Sequence, residues 1–376
     1  MDRNSSLLSR TAVANEGKIH LGYMYAGDPT FSTARIMMSG ALAFAPFMHR
    51  YLGTSRPLAT STPAAYAVHR NSQHNAAAVS HYLMTVHRLV VEEARGRERA
   101  YFGADLSVPP NAWSAKDREA AFDGEAVLAV FDTPEVAINP VDLAGLLKAC
   151  LAAHPRIEIR PMRNVTRAEH DGNTVRVASD GPEGQIVDAF DHVVNALWDG
   201  RLALDATMEL RPNRPWLHRL KYGVSFTLPP AAIPPPSVTF ISGPFGEVVS
   251  YPDRLTYLTW YPHCLLSMSS EVTPPDWPTY PPEPTRSQVM QGTIAALSQL
   301  VPSLAKLEIT KLLDVSVKGG VIVAWGETDI YDPASELHRR CDIGVTSRGR
   351  YHSVDPGKLT MAPYFAEQCA NRIAAF

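Results

Sequence analysis

The sequence predicts an α/β protein in which a helix-covered, partly parallel sheet is combined with a separate mixed or antiparallel sheet. Three observations carry this reading. The run Phe190–Leu197 (FDHVVNAL) is nearly continuously apolar, the pattern of a strand buried on both faces. Val238–Ser242, Glu247–Tyr251 and Leu255–Tyr261 have strand composition and are separated by Gly243-Pro244-Phe245-Gly246 and Pro252-Asp253-Arg254, which makes an antiparallel meander. Helical apolar stripes and further strand patterns lie on both sides of that meander, so the helix-covered layer is assembled from separated pieces of chain.

In chain order, a helix is expected from about Ser72 to Arg95, with Val79, Leu83, Val86 and Val90 on one face. Asn139 can cap a helix with Pro140 in its first turn, followed by the stripe Leu143, Leu146, Leu147, Cys150 and Leu151. Arg156–Arg160 and Thr174–Ala178 alternate as strands, the second through Val175 and Val177. A helix starting near Thr285 carries Met290, Ile294, Leu297 and Val301, and a last helix from about Pro363 turns Phe365, Cys369 and Ile373 inward. The prolines cluster at 229, 230 and 234–236 and again between Pro274 and Pro284, where missing backbone donors preclude helix or central strand and imply ordered surface connections.

Composition narrows the function classes. The chain has 376 residues, 35 basic and 38 acidic, for a formal net charge of −3, which disfavours nucleic acid as a partner. No run of about 18 apolar residues suits a membrane span. The opening Met1-Asp2-Arg3-Asn4-Ser5-Ser6 lacks the apolar core of a signal peptide, so a soluble cytoplasmic protein acting on a small molecule is expected. The cysteines at 150, 264, 341 and 369 form no close pair and imply neither a disulfide framework nor a zinc site. Among His69, His74, His81 and His87 only His74 and His81 share a helical face, and no carboxylate joins them, so no metal is expected.

Several segments, taken in order, resemble D-amino-acid-oxidase-type flavoproteins. Asn139-Pro140 with its helix, the strand at Ile157, Asn164-Val165-Thr166-Arg167-Ala168-Glu169, the strand at Val175 and Val193-Val194-Asn195-Ala196 resemble the second half of that family's FAD-binding domain. Ala14-Asn15-Glu16-Gly17-Lys18-Ile19-His20 resembles the segment passing under the flavin ring, and Tyr351–Pro363 (YHSVDPGKLTMAP) resembles the final flavin-contacting loop and helix start. The resemblance implies a Rossmann-like FAD-binding unit built from residues 1–50, 134–204 and 341–376, and a substrate unit from 51–133 and 205–340 roofing the flavin. It also implies an FAD-dependent oxidoreductase that moves a hydride from an amine, amino acid or hydroxy acid to flavin N5.

By the same resemblance, Ala14, Asn15, Glu16, Gly17, Lys18, Gly357, Lys358, Leu359 and Thr360 contact the ring, with the dipole of the last helix favouring negative charge on reduced flavin. Val165 serves adenine, Asn195 and Ala196 line the ribose or pyrophosphate, and Asp2 stands where a ribose-binding acid is expected. Arg348 and Arg350 occupy the stretch of a carboxylate-binding arginine, and His352 follows within reach of flavin or substrate. One departure is large: no G-x-G-x-x-G occurs anywhere, although that turn is what lets backbone approach a pyrophosphate at a helix N-terminus. The opening strand–turn–helix is therefore expected to be missing from the recorded chain, which as written should hold flavin poorly. The rival reading is a non-catalytic truncated relative that acts as a binding or assembly protein.

Overall fold

The computed structural model describes residues 1–53 and 58–376. Its largest sheet has eight strands: β2 (Ala65–His69), β3 (Val127–Phe131), β9 (Trp216–Thr227), β10 (Val238–Phe240), β11 (Gly246–Ser250), β12 (Leu255–Trp260), β13 (Leu265–Ser269) and β14 (Leu313–Trp325). The expected meander is β10–β11–β12, with Val248 opposite Val238 on one side and Leu258 on the other. Strand β9 is the spine: β14 pairs along one edge, while β12 and β13 share the other. Strand β2 joins β10 in parallel, which makes the sheet mixed.

Two three-stranded sheets and a short ribbon complete the chain. Strands β5 (Asn164–Asp171), β6 (Thr174–Gly181) and β7 (Gly184–Phe190) are antiparallel neighbours. Strand β16 (Tyr351–Asp355) lies between β15 (Gly344–Arg348), antiparallel, and β8 (Val193–Asn195), parallel. The ribbon pairs β1 (Lys18–Ile19) with β4 (Val136–Ala137).

Two apolar cores hold these layers. One joins Ile19, the helix Ser32–Leu52, Tyr66 and Val68 of β2, the helix Ala76–Glu93 and the C-terminal helix Ala362–Ala374. The other lies against the large sheet under the helix Thr285–Leu300. The Ser32–Leu52 helix runs so close to the final loop that a Cβ at Gly40 would sit 2.3 Å from the Met361 sulfur, so a larger residue there would have to displace that side chain. That helix was not expected from the sequence. Its buried Ala34, Met37, Met38, Ala41, Phe44 and Met48 follow i, i+3, i+4 spacing on one face, so the stripe is present in the sequence, made less conspicuous by its small residues and by Pro46 inside the helix.

Other expectations need correction. Asn75 caps the second helix by accepting from Ala78 N, so the helix starts at Ala76 and not near Ser72. Asn139 does cap its helix, through Val141 N and Asp142 N, but Leu143 is the one buried leucine of its stripe, and Leu146 is 39% exposed. Residues 156–160 form no strand, and Ile157 is exposed. The run Phe190–Leu197 yields only the three-residue β8, an edge strand among the described residues, with Val194 45% exposed. Its apolar composition matches a fully buried strand, yet among the described residues no strand pairs with its outer edge.

A buried ion pair fastens the ribbon to the large sheet. Lys18 Nζ on β1 lies 2.6 Å from Glu247 Oε2 on β11 and also donates to the Thr239 hydroxyl on β10. Removing one member would strand a charge away from water, whereas replacing both removes the desolvation cost as well. Lys18→Met is expected to destabilise the fold by about 3–5 kcal/mol in denaturant titrations, and Lys18→Met with Glu247→Leu to recover most of that loss.

Candidate functional site

The site is organised around a carboxylate that nothing in its neighbouring residues singles out. Glu135 Oε1 accepts from three successive amides, Leu21 N at 2.6 Å, Gly22 N at 3.0 Å and Tyr23 N at 3.3 Å. Its other oxygen accepts from the Tyr66 hydroxyl and lies 3.6 Å from His20 Nδ1. Burial alone would raise the Glu135 carboxyl, but His20, the Tyr66 hydroxyl and Lys18 outweigh it and hold the group below its ordinary value. Burial pushes the His20 imidazole the opposite way from what Glu135 favours, below its ordinary value.

This clamp directs residues 18–23 past the final loop. Thr360 Oγ1 accepts from His20 N at 2.9 Å and donates to Lys18 O at 3.4 Å, which joins positions 342 residues apart. The C-terminal helix begins immediately afterwards at Ala362. The large sheet closes the other side, where Tyr251 Oη donates to Glu16 O at 2.5 Å and Thr11 Oγ1 accepts from Val321 N at 3.1 Å.

Between these elements Glu16, Lys221, Tyr261, His338 and Lys358 each keep part of their surface accessible while protein surrounds them closely enough for burial and neighbouring charges together to set their chemistry. Glu16 feels Lys221, Lys358 and His20, and His338 feels Lys358 and Arg340, so these side chains form one charged cluster, termed the crevice. Burial would raise the Glu16 carboxyl, but Lys221, Lys358 and His20 bring it down to about 2. Burial, joined by Arg340 and Lys221, lowers the Lys358 ammonium to about 8 despite Glu16. Burial and the cations Lys358 and Arg340 bring His338 to about 3, so its ring is neutral at physiological pH. The field is not uniform: burial and two cations lower Lys358, whereas at Lys221 the neighbouring Tyr261, Glu16 and Glu247 outweigh burial and raise the ammonium above its ordinary value. A small pocket between Arg201, Val323, Trp325, Ile343 and Asp355 shares Arg340 with the crevice.

Glu16 and Lys358 act on one another's charge, and Thr360 meets Lys18 and His20, while several other expected roles need correction. Gly17 has φ +71°, and its close approach is to Ile138, whose carbonyl oxygen would lie 1.8 Å from an added Cβ. The Asn15 amide is committed to its own turn, donating to Thr11 O and Ala12 O while its oxygen accepts from Gly17 N. Lys18 is paired with Glu247 and does not face the crevice as a free cation.

The residues expected around the dinucleotide are not assembled into a cradle. The Asp2 carboxylate accepts from Asn4 N and Asn4 Nδ2. Asn195 is buried, and its amide donates to Arg201 O, Asp205 Oδ1 and Tyr351 Oη. Val165 is half-buried against the core of β5 and β6, and Ala196 is exposed.

The three residues expected to be catalytic also lie elsewhere. Arg348 bonds Met208 O and Glu209, and Arg350 bonds His192 and stacks on Phe376. His352 is buried between Ser347 and His192. The Arg348–Arg350 turn is separated from Gly357 by the length of β16, about 15 Å for five extended residues. Lys221, His338 and Arg340 were not singled out in sequence. Strand β9 also carries His218 and Arg219, so Lys221 did not stand out from its neighbours. Among the described residues no group of three His, Cys, Asp or Glu could hold a metal ion, and no helix is long and apolar enough to cross a membrane.

The architecture is the α/β fold of D-amino-acid-oxidase-type proteins. Glycine oxidase from Geobacillus kaustophilus superposes with a TM-score of 0.66 at 12% identity, over 100% of this chain and 87% of that one. L-alpha-glycerophosphate oxidase from Mycoplasma pneumoniae, solved with FAD bound, superposes with a TM-score of 0.61 at 15% identity, over 100% and 87% of the two chains. Iminodiacetate oxidase from Chelativorans sp. BNC1 gives 0.62 at 10% identity, over 97% and 86%. No protein-family model matches the sequence, and no curated protein matches it.

The depressed Lys358 ammonium makes stability depend on pH. Below about 8 the folded chain carries this lysine charged at a cost; from 8 towards 10.5 the unfolded chain binds more protons, so stability rises with pH. Denaturation midpoints of the wild type are therefore expected to rise relative to those of Lys358→Gln between pH 8 and 10, while a constant difference would contradict the assigned field.

Proposed function

We propose that the chain is an FAD-dependent oxidoreductase whose substrate is an amine, amino acid or hydroxy acid. The single observation that carries the reading is the meeting of residues 14–20 with residues 357–360 at the start of the C-terminal helix, through the Thr360 hydroxyl. The fold supports it, being shared with oxidases of this kind. The proposal includes the division into a cofactor unit (1–50, 134–204, 341–376) and a roofing unit (51–133, 205–340), to which every strand of the eight-stranded sheet belongs.

The crevice fits the ring end of the cofactor. The helix N-terminus and Lys358 would favour electron density on the pyrimidine edge. Tyr261 and Tyr257 of the roof supply aromatic, water-excluding surface. When bound, a flavin supplies the acceptor for a hydride from a C–H beside nitrogen or oxygen. Glu16 stays ionised and His338 stays neutral throughout the physiological range, so the two offer a fixed negative charge and an uncharged ring that hydrogen-bonds without taking up a proton. The Glu135 clamp fixes the wall on which Lys18 and His20 lie.

The fit to the dinucleotide end is poor. The sequence has no Gly-rich turn, and Asn195 and Asp2 are used internally. This one observation favours the second reading, a binding or assembly protein without catalysis. The two readings separate on cofactor content. The 376-residue chain is expected to purify with well under one flavin per protein, by the ratio of visible to ultraviolet absorbance, and to quench the fluorescence of added FAD. Lys358→Gln should weaken that quenching titration by about tenfold, the worth of one charged contact. No quenching by the wild type would refute the oxidoreductase reading.

A further inference from the structure

Away from the crevice, a line of hydrogen-bonded side chains crosses the small sheet that holds β16. His192, just before β8, and His352 on β16 lie side by side, with His192 Nδ1 3.1 Å from His352 Nε2. Their ring planes are within 17° of each other and the centroids are 5.4 Å apart. Arg350 Nη1, from the β15–β16 turn, lies 3.0 Å from His192 Nε2. At the other end His352 Nδ1 is 2.9 Å from Ser347 Oγ on β15, and Arg372 of the C-terminal helix donates to the same hydroxyl at 3.2 Å. The Phe376 ring stands edge-on to His192 at 4.9 Å and under the Arg350 guanidinium at 5.4 Å.

A guanidinium can only donate, so the line has one direction. His192 Nε2 offers its lone pair to Arg350, which puts the His192 proton on Nδ1, aimed at His352 Nε2. His352 therefore keeps its own proton on Nδ1 and gives it to Ser347 Oγ. Both rings are neutral, and all four ring nitrogens are used. An added proton breaks the line wherever it lands. On His192 Nε2 it meets Arg350, and on His352 Nε2 it meets the His192 N–H.

The surroundings offer such a proton no compensation. Among the described residues neither ring has a carboxylate within 4 Å, and from Asp191 it is the backbone carbonyl that takes an Arg350 N–H. The charged neighbours are Arg350 from the turn and Arg372 from the helix; Val194 opposite His352 on β8, Ser347 and Phe376 are uncharged. Burial, then His192 and Arg372, hold the His352 imidazole below its ordinary value.

We propose that His192 and His352 form an acid-released latch: uncharged, they tie the β15–β16 turn and the end of the C-terminal helix to β8, and a proton taken up by the pair expels Arg350 and frees both. The latch bears on the candidate site because β16 runs on into Gly357–Thr360, and the helix that it fastens begins directly after them. It does not depend on what the crevice binds. A released imidazole titrates near its ordinary value of about 6.5, so below that pH the open segment holds more protons than the latched one, and release becomes easier as pH falls.

Hydrogen–deuterium exchange of the full chain, corrected for the intrinsic pH dependence of exchange, tests the proposal on residues 188–196, 345–354 and 366–376. Their opening constant is expected to rise about tenfold from pH 6 to pH 5 for each proton taken up, while the Ser32–Leu52 helix stays protected. His192→Gln should remove that rise, because an amide can turn either to accept or to donate opposite His352. Nitrogen-15 shifts of the wild type at pH 7.5, which need no variant, should show both rings protonated on Nδ1 and bare on Nε2. Either ring protonated on Nε2, no rise in the wild type, a rise shared equally by the Ser32–Leu52 helix, or a wild-type rise in His192→Gln would overturn the proposal.

Discussion

The grip of the Glu135 carboxylate on the amides of Leu21, Gly22 and Tyr23 is the constraint on which the rest of the site depends. A carboxylate buried without partners would be costly, and here its lone pairs are met by three successive backbone N–H groups and the Tyr66 hydroxyl. The arrangement bends the chain between the ribbon strand β1 and the Ser32–Leu52 helix and carries His20 up to Thr360. Tyr101 reinforces it by donating to Ile19 O at 2.5 Å and accepting from Val136 N at 2.9 Å. The first and last parts of the chain therefore meet because a polar knot inside the molecule leaves them one path.

A second consequence is electrostatic. Glu247 is paired with Lys18 and Asp329 with Arg219, Arg201 is shared by Asp205 and Asp355, and Lys221 and Lys358 act on the carboxylate of Glu16. The crevice is thus polarised before any ligand arrives. Such preorganisation is what a site that stabilises developing negative charge requires, because the cost of assembling like charges is met by the fold and not during the reaction. Arg340 illustrates the coupling: the same side chain ties the carbonyls of Val323, Leu337 and Gly357 and contributes to the potential.

Much of this was legible in the sequence, unevenly. The meander β10–β11–β12 was readable because its turns carry Gly, Pro and Asp between strand-like runs, and Asn139 was readable because a cap followed by Pro is a local signal. The approach of residues 14–20 to residues 357–360 was expected from their likeness to a known family, and the hydrogen bonds of Thr360 show the two stretches meeting. Individual roles were much less readable. Gly17 and Asn15 owe their identities to Ile138 and to a local turn, and Lys18 to a glutamate 229 residues away, none of which leaves a trace in neighbouring residues. Arg348 and Arg350 lie near the final loop in sequence, but an extended strand carries them to its far end. Glu135, the organising residue, sits in an unremarkable Thr133-Pro134-Glu135-Val136 stretch, and its partners are all non-local.

The central claim is that residues 14–20 and 357–360 face one planar ligand. A crystal structure of the chain grown with excess FAD tests it most directly. The account predicts electron density for the isoalloxazine in the crevice, with one edge at the start of the C-terminal helix beside Lys358 and one face towards Tyr261. Density for the ring elsewhere on the molecule, or a crevice closed by side chains with the flavin excluded at saturating concentration, would contradict it.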